Sequence, residues 1–146
     1  MKKQALIFLI SGIAVLYSVA FKEKSVSMKA ADLGKTIEIR FDIKPGFGIQ
    51  KMGPHNISVF EITGGYEKNK SPGDIITKNG KKILELKQVK LSGTTAKEDN
   101  EYFSAVQPYA IPMQSAKTLG IKAQIYYCSF KDSFCSMEVV QTILPR

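Results

Sequence analysis

Thr36-Ile37-Glu38-Ile39-Arg40-Phe41-Asp42-Ile43 is the stretch that decides the fold class. Its apolar members, Ile37, Ile39, Phe41 and Ile43, fall on every second residue, with polar residues between them. Successive side chains of an extended chain point to opposite faces, so the pattern reads as a strand with one face buried and one solvated. A period near 3.6, which a helix would need, is absent. Lys44-Pro45-Gly46 ends the strand, because proline has no N–H to give the ladder and glycine takes turn conformations.

Similar signals recur downstream. Ile57-Ser58-Val59-Phe60-Glu61-Ile62 reads as a second strand, stopped by Gly64-Gly65. Ile75-Ile76-Thr77 reads as another, joined through Asn79-Gly80 to a strand over residues 83–91. Asn-Gly suits a tight hairpin because both central residues accept positive φ. Residues 102–106 form a further strand, while Pro108 and Pro112 confine Tyr109-Ala110-Ile111 to an edge or a bend. Residues 119–127 alternate clearly, and residues 137–144 are apolar and β-branched. No segment longer than about two turns has helical periodicity. The expectation is an all-β fold, an immunoglobulin-like sandwich of about seven or more antiparallel strands. The Cys–Trp–Cys spacing of immunoglobulin domains is absent, since the chain contains no tryptophan.

Upstream of the first strand the composition changes twice. Lys2 and Lys3 precede an apolar run from Ala5 to Tyr17, and Ser18-Val19-Ala20 puts small residues where a signal peptidase reads them. Residues 1–20 are therefore expected to be a cleaved signal peptide, with an uncleaved signal anchor as the alternative. Residues 21–34 read as a charged leader, and residues 35–146 as the domain. Export to a bacterial periplasm or to the exterior follows, with no stable membrane insertion after cleavage.

The net charge is +8, and without residues 1–20, which carry two lysines and no acid, it is +6. The lysines are scattered, and arginine occurs only at Arg40 and Arg146. A nucleic-acid footprint would cluster Lys and Arg among aromatics, so nucleic acid is not expected as a partner. His55 is the single histidine and has no ligand-like neighbours in sequence, so it reads as a turn or strand-start residue. The methionines are dispersed, and Glu38, Glu61 and Glu85 fall on different strands. No metal, cofactor or acid–base pair is expected from these residues.

Two cysteines remain, Cys128 and Cys135, with Ser129-Phe130-Lys131-Asp132-Ser133-Phe134 between them. One closes a strand and the other opens the next, so they face each other across a hairpin mouth. An exported chain with two cysteines most simply carries one disulfide. Two readings follow, a structural clasp and a redox-active pair, and spacing alone favours the clasp. Lys131 would favour a thiolate and Asp132 would oppose it. Tyr126, Tyr127, Phe130 and Phe134 surround the pair and read as core packing, docking surface or sulfur shielding.

The run Gly120-Ile121-Lys122-Ala123-Gln124-Ile125-Tyr126-Tyr127-Cys128, followed by Phe134-Cys135, resembles the end of the N-terminal periplasmic domain of the transmembrane thiol–disulfide reductase DsbD. Residues 41–51, with Pro45-Gly46-Phe47 at their centre, resemble an upstream strand-and-turn element of the same family. The resemblance covers residues 35–144 in matching order. It implies an immunoglobulin-like sandwich whose Cys128 and Cys135 alternate between dithiol and disulfide. It also implies periplasmic thiol–disulfide proteins as partners, with a membrane electron donor, and an aromatic cap over the sulfurs. Tyr66 is the candidate for that cap, with Phe130, Phe134 and Tyr126 as shielding or docking residues.

Overall fold

The structure, a computed structural model, describes residues 24–145. The expected signal peptide, and the anchor read as its alternative, lie outside the described residues. Ten strands and one helix follow in order. They are β1 (Val26–Asp32), β2 (Thr36–Ile43), β3 (Phe47–Gln50), β4 (Asn56–Ile62), α1 (Pro72–Asn79), β5 (Gly80–Leu86), β6 (Gly93–Thr95), β7 (Tyr102–Val106), β8 (Tyr109–Pro112), β9 (Leu119–Ser129) and β10 (Phe134–Leu144).

Two antiparallel sheets pack as a β-sandwich. The smaller has the order β1-β2-β8, and its edge position suits the Pro-flanked β8. The larger has the order β5-β4-β9-β3-β7-β6, with β10 on the remaining side of β9. The alternation in β2 does what its period requires: Ile37 and Ile39 are fully buried and Phe41 nearly so. Facing them from β9 are Leu119, Ile121, Ala123 and Ile125, all fully buried. Each buried branched side chain removes enough apolar surface from water to contribute about 1.5–3 kcal/mol.

Three local expectations change. Residues 21–34, read as a leader, contain β1, which pairs with β2 from Val26↔Ile43 to Asp32↔Ile37. Val26 and Met28 are buried on its inner face, but the small and charged residues that follow blur the alternation. Ile75-Ile76-Thr77, read as strand, lies in α1. Ser71 caps that helix by accepting from the Asp74 N–H at 3.2 Å, and Pro72 stands in its first turn. Asn79-Gly80 is consequently a helix exit, with Gly80 extended at φ −89°, rather than a tight hairpin turn. Finally, residues 83–91 are not one strand, because β5 ends at Leu86 and β6 begins at Gly93.

The long strand β9 organises the larger sheet. On one side it pairs with β10 along its whole length. On the other it meets two strands end to end: β4 opposite residues 119–124 and β3 opposite residues 127–129. Residues 51–55 leave the sheet between β3 and β4, which would strand the backbone of Tyr126. The fully buried His55 fills this break. Its Nδ1 accepts the Tyr126 N–H at 3.2 Å, and its Nε2 lies 2.7 Å from the Gln50 carbonyl oxygen. Accepting at Nδ1 requires the neutral tautomer with the proton on Nε2, which then donates to Gln50. His55 is thus a strand-entry residue, as its sequence context suggests.

Candidate functional site

Cys128 and Cys135 are joined in a disulfide across the β9–β10 pair. They are directly opposite in register, with Cα atoms 4.0 Å apart. Gly48 of β3 stands opposite Cys128 on the other side, so Gly48, Cys128 and Cys135 form one row across three strands. Ile121, Ala123, Ile125 and Tyr127 point into the sandwich, so period-two geometry puts Cys128 on the outer face of the sheet. Even there, Cys128 is only 4 % exposed. Cys135, on the edge strand β10, is exposed.

The cover over Cys128 comes from the turn and from β7. Phe130 lies over Gly48, where an added Cβ would sit 2.6 Å from its Cζ. Tyr102 is set beside it by the β3–β7 pairing, which matches Gln50 with Tyr102. The Tyr102 and Phe130 rings meet edge-on, 5.6 Å apart at 83°. The Tyr102 hydroxyl is 3.1 Å from Cys128 Sγ and 3.8 Å from Cys135 Sγ. A disulfide has no S–H, so the hydroxyl is the donor, with its single proton nearer Cys128 Sγ than Cys135 Sγ. The Gln50 side-chain amide adds a second donor, 3.5 Å from Cys128 Sγ.

The turn that carries Phe130 is tied down at both ends. Its N–H donates to the Gly46 carbonyl at 3.0 Å, and the Asp132 N–H donates to the Ser129 hydroxyl at 3.2 Å. Ser129 in turn faces the Asp132 carboxylate at 3.5 Å. Ser133 takes φ +51°, which lets a four-residue turn close without glycine.

Of the four aromatics expected to shield or dock, Phe130 lies over Gly48, the residue opposite Cys128. Phe134 is one residue out of phase with Cys135, so its ring goes to the other face and packs T-shaped on Tyr127 at 6.4 Å. Tyr126 shares the outer face, but its ring is turned toward His55, 6.1 Å away. Tyr66 packs on the cluster of Ile62, Ile75 and Ile76 beside α1, at the end of β9 remote from the cysteines. The side chains in hydrogen-bonding contact with Cys128 Sγ are instead Tyr102 and Gln50. Nothing local to the cysteines in sequence points to them, since they precede Cys128 by 26 and 78 residues. Only the register of β3 against β9 and β7 brings them in.

The remaining polar candidates are accounted for. Glu38 pairs with Arg40 at 2.6 Å, Glu61 with Lys117 at 2.6 Å, and Glu85 with Lys82 at 3.6 Å. Among the described residues no group of three His, Cys, Asp or Glu side chains gathers into a metal-binding cluster. No helix among them is long and apolar enough to cross a membrane. Compared with protein-family models, with curated proteins and with solved structures, the chain matches none of them.

Proposed function

We propose that this chain is an exported thiol–disulfide exchange module that passes electrons through Cys128 and Cys135 to or from partner proteins. Its partners are periplasmic thiol–disulfide proteins, with a membrane-embedded protein as electron donor. The observation that carries the reading is the asymmetry of the bridge. Cys135 is open to solvent on an edge strand, while Cys128 is covered and sits against two hydrogen-bond donors.

Exchange needs one reachable sulfur and one that leaves well. A partner thiolate attacks Cys135 Sγ, the Cys135–Cys128 bond breaks, and Cys128 departs with the electron pair as a thiolate. The second thiolate of the partner then attacks its own sulfur in the mixed disulfide and releases Cys135. The partner is left oxidised and the pair reduced by two electrons. Run backwards, the same steps reduce a partner disulfide, again through Cys135. The strand motif that resembles the periplasmic domain of DsbD supports the same assignment.

The competing reading is a non-enzymatic exported β-sandwich binding protein whose disulfide is a structural clasp, favoured by the direct register of the two cysteines in a long hairpin. The potential of the couple separates the two. A value of about −120 to −270 mV belongs with exchange proteins, and one below about −300 mV marks an inert bridge and sinks the proposal. Alongside it, Cys128→Ser should accumulate mixed disulfides on Cys135, whereas Cys135→Ser, which keeps only the covered thiol, should not.

A further inference from the structure

We infer that the Tyr102 hydroxyl is a catalytic hydrogen-bond donor that assists the departure of Cys128 as a thiolate and so directs exchange to Cys135. The inference deepens the exchange reading and rests on it. Three observations carry it. The hydroxyl lies nearer Cys128 Sγ, at 3.1 Å, than Cys135 Sγ, at 3.8 Å. It is held there by the pairing of Tyr102 with Gln50 and by the edge-on contact with Phe130. The Gln50 amide, 3.5 Å from the same sulfur, points a second donor at Cys128.

In the disulfide these donors meet a neutral, weakly accepting sulfur. As the bond breaks, negative charge grows on Cys128, and hydrogen bonds to a charged acceptor are about twice as strong as neutral ones. The interaction therefore strengthens toward the transition state, which is the condition for accelerating the step. No proton has to move. The electron pair of the breaking S–S bond goes to Cys128, and the new bond forms between Cys135 and the attacking thiolate. Attack at Cys128 would instead expel Cys135, which lies farther from the Tyr102 hydroxyl and would leave into solvent.

The test uses the oxidised full chain and reduced glutathione as the attacking thiol. Adducts are trapped by acid quench and located by peptide mass mapping. The glutathione should sit on Cys135 in the unaltered protein, and Tyr102→Phe should slow its formation about tenfold. Tyr102→Phe keeps the ring on Phe130, so a role confined to steric cover would leave the rate unchanged. Tyr102→Ala removes the cover as well as the hydroxyl. A rate for Tyr102→Phe equal to or above that of the parent overturns the inference. So does an adduct mainly on Cys128 in the unaltered protein, a result that depends on no variant folding. If the couple proves too reducing for exchange while the Tyr102→Phe effect stands, the proposed function fails and the role of Tyr102 in bond cleavage survives. The reverse outcome removes Tyr102 alone.

Discussion

His55 takes the backbone N–H of Tyr126 on its Nδ1 at 3.2 Å, standing in for the strand residue that the break between β3 and β4 leaves out. A side chain thereby completes the ladder of the central strand. The ring is fully buried, so its two polar atoms have these backbone partners in place of water. Gly53 leaves it room, since a Cβ there would lie 2.8 Å from the His55 Cε1.

His55→Ala should therefore lower stability by about 3 kcal/mol, from the lost ring volume and from leaving the Tyr126 N–H and Gln50 carbonyl unpaired. Urea denaturation followed by circular dichroism measures it. A loss below about 1 kcal/mol would mean that water replaces the ring without penalty.

The same geometry makes stability depend on pH. Burial lowers the His55 pKa from its ordinary 6.5, against an opposing pull from the hydrogen bond to Gln50. The unfolded chain then binds more protons than the folded one, so stability rises with pH across the window. The contribution is fully present above about pH 6.5 and is lost as pH falls from there through the lower folded value. Urea midpoints between about pH 7.5 and pH 5 should drop more steeply for the parent than for His55→Ala. Parallel profiles would refute this.

Removing the disulfide should loosen the protein without unfolding it. The ring closed by Cys128 and Cys135 is short, so its loss costs about 2.5 kcal/mol by loop-closure entropy. The β9–β10 ladder, eleven residue pairs long, remains to hold the hairpin. A Cys128→Ala/Cys135→Ala variant should keep the parent's far-ultraviolet spectrum and a cooperative transition at lower urea. A molten or unfolded variant would contradict this.

The cover over Cys128 depends on a missing side chain. An alanine Cβ at Gly48 would approach Phe130 Cζ at 2.6 Å and Tyr102 Cβ at 2.8 Å. Gly48→Ala should cost about 1–3 kcal/mol, as overpacking does, and Phe130→Ala in the same chain should recover part of that loss. Strict additivity of the two changes in urea midpoints would show that the rings do not meet at Gly48.

Tyr66 and Phe130 should behave oppositely toward reductants. Phe130→Ala uncovers Cys128 and should spread glutathione adducts onto both sulfurs. Tyr66→Ala, altering only the packing beside α1, should leave the adduct pattern and reduction rate as in the parent. An effect of Tyr66→Ala on either would place its side chain nearer the disulfide than the structure does.

Much of this fold was legible because β structure writes itself locally. Period-two alternation in residues 36–43 and 119–127 needs no knowledge of partners, since a strand with one buried face must alternate wherever it lies. The pairing of Cys128 with Cys135 was readable for the same reason, being a hairpin of seven residues' separation. Where local signals were thin, tertiary packing decided. Two isoleucines cannot distinguish strand from helix, and Ile75 and Ile76 became helical because α1 lays them on Ile62 at the end of the sheet.

The sequence by itself thus determined the β class, the position of the hairpin and the identity of its two cysteines. Tertiary structure alone decided that the two sulfurs differ. Their difference comes from Gln50, Tyr102 and Gly48, which reach Cys128 through β3 and β7, elements far from it in the chain. Strand order and register are set by the burial of whole faces, and no short stretch of sequence carries that information.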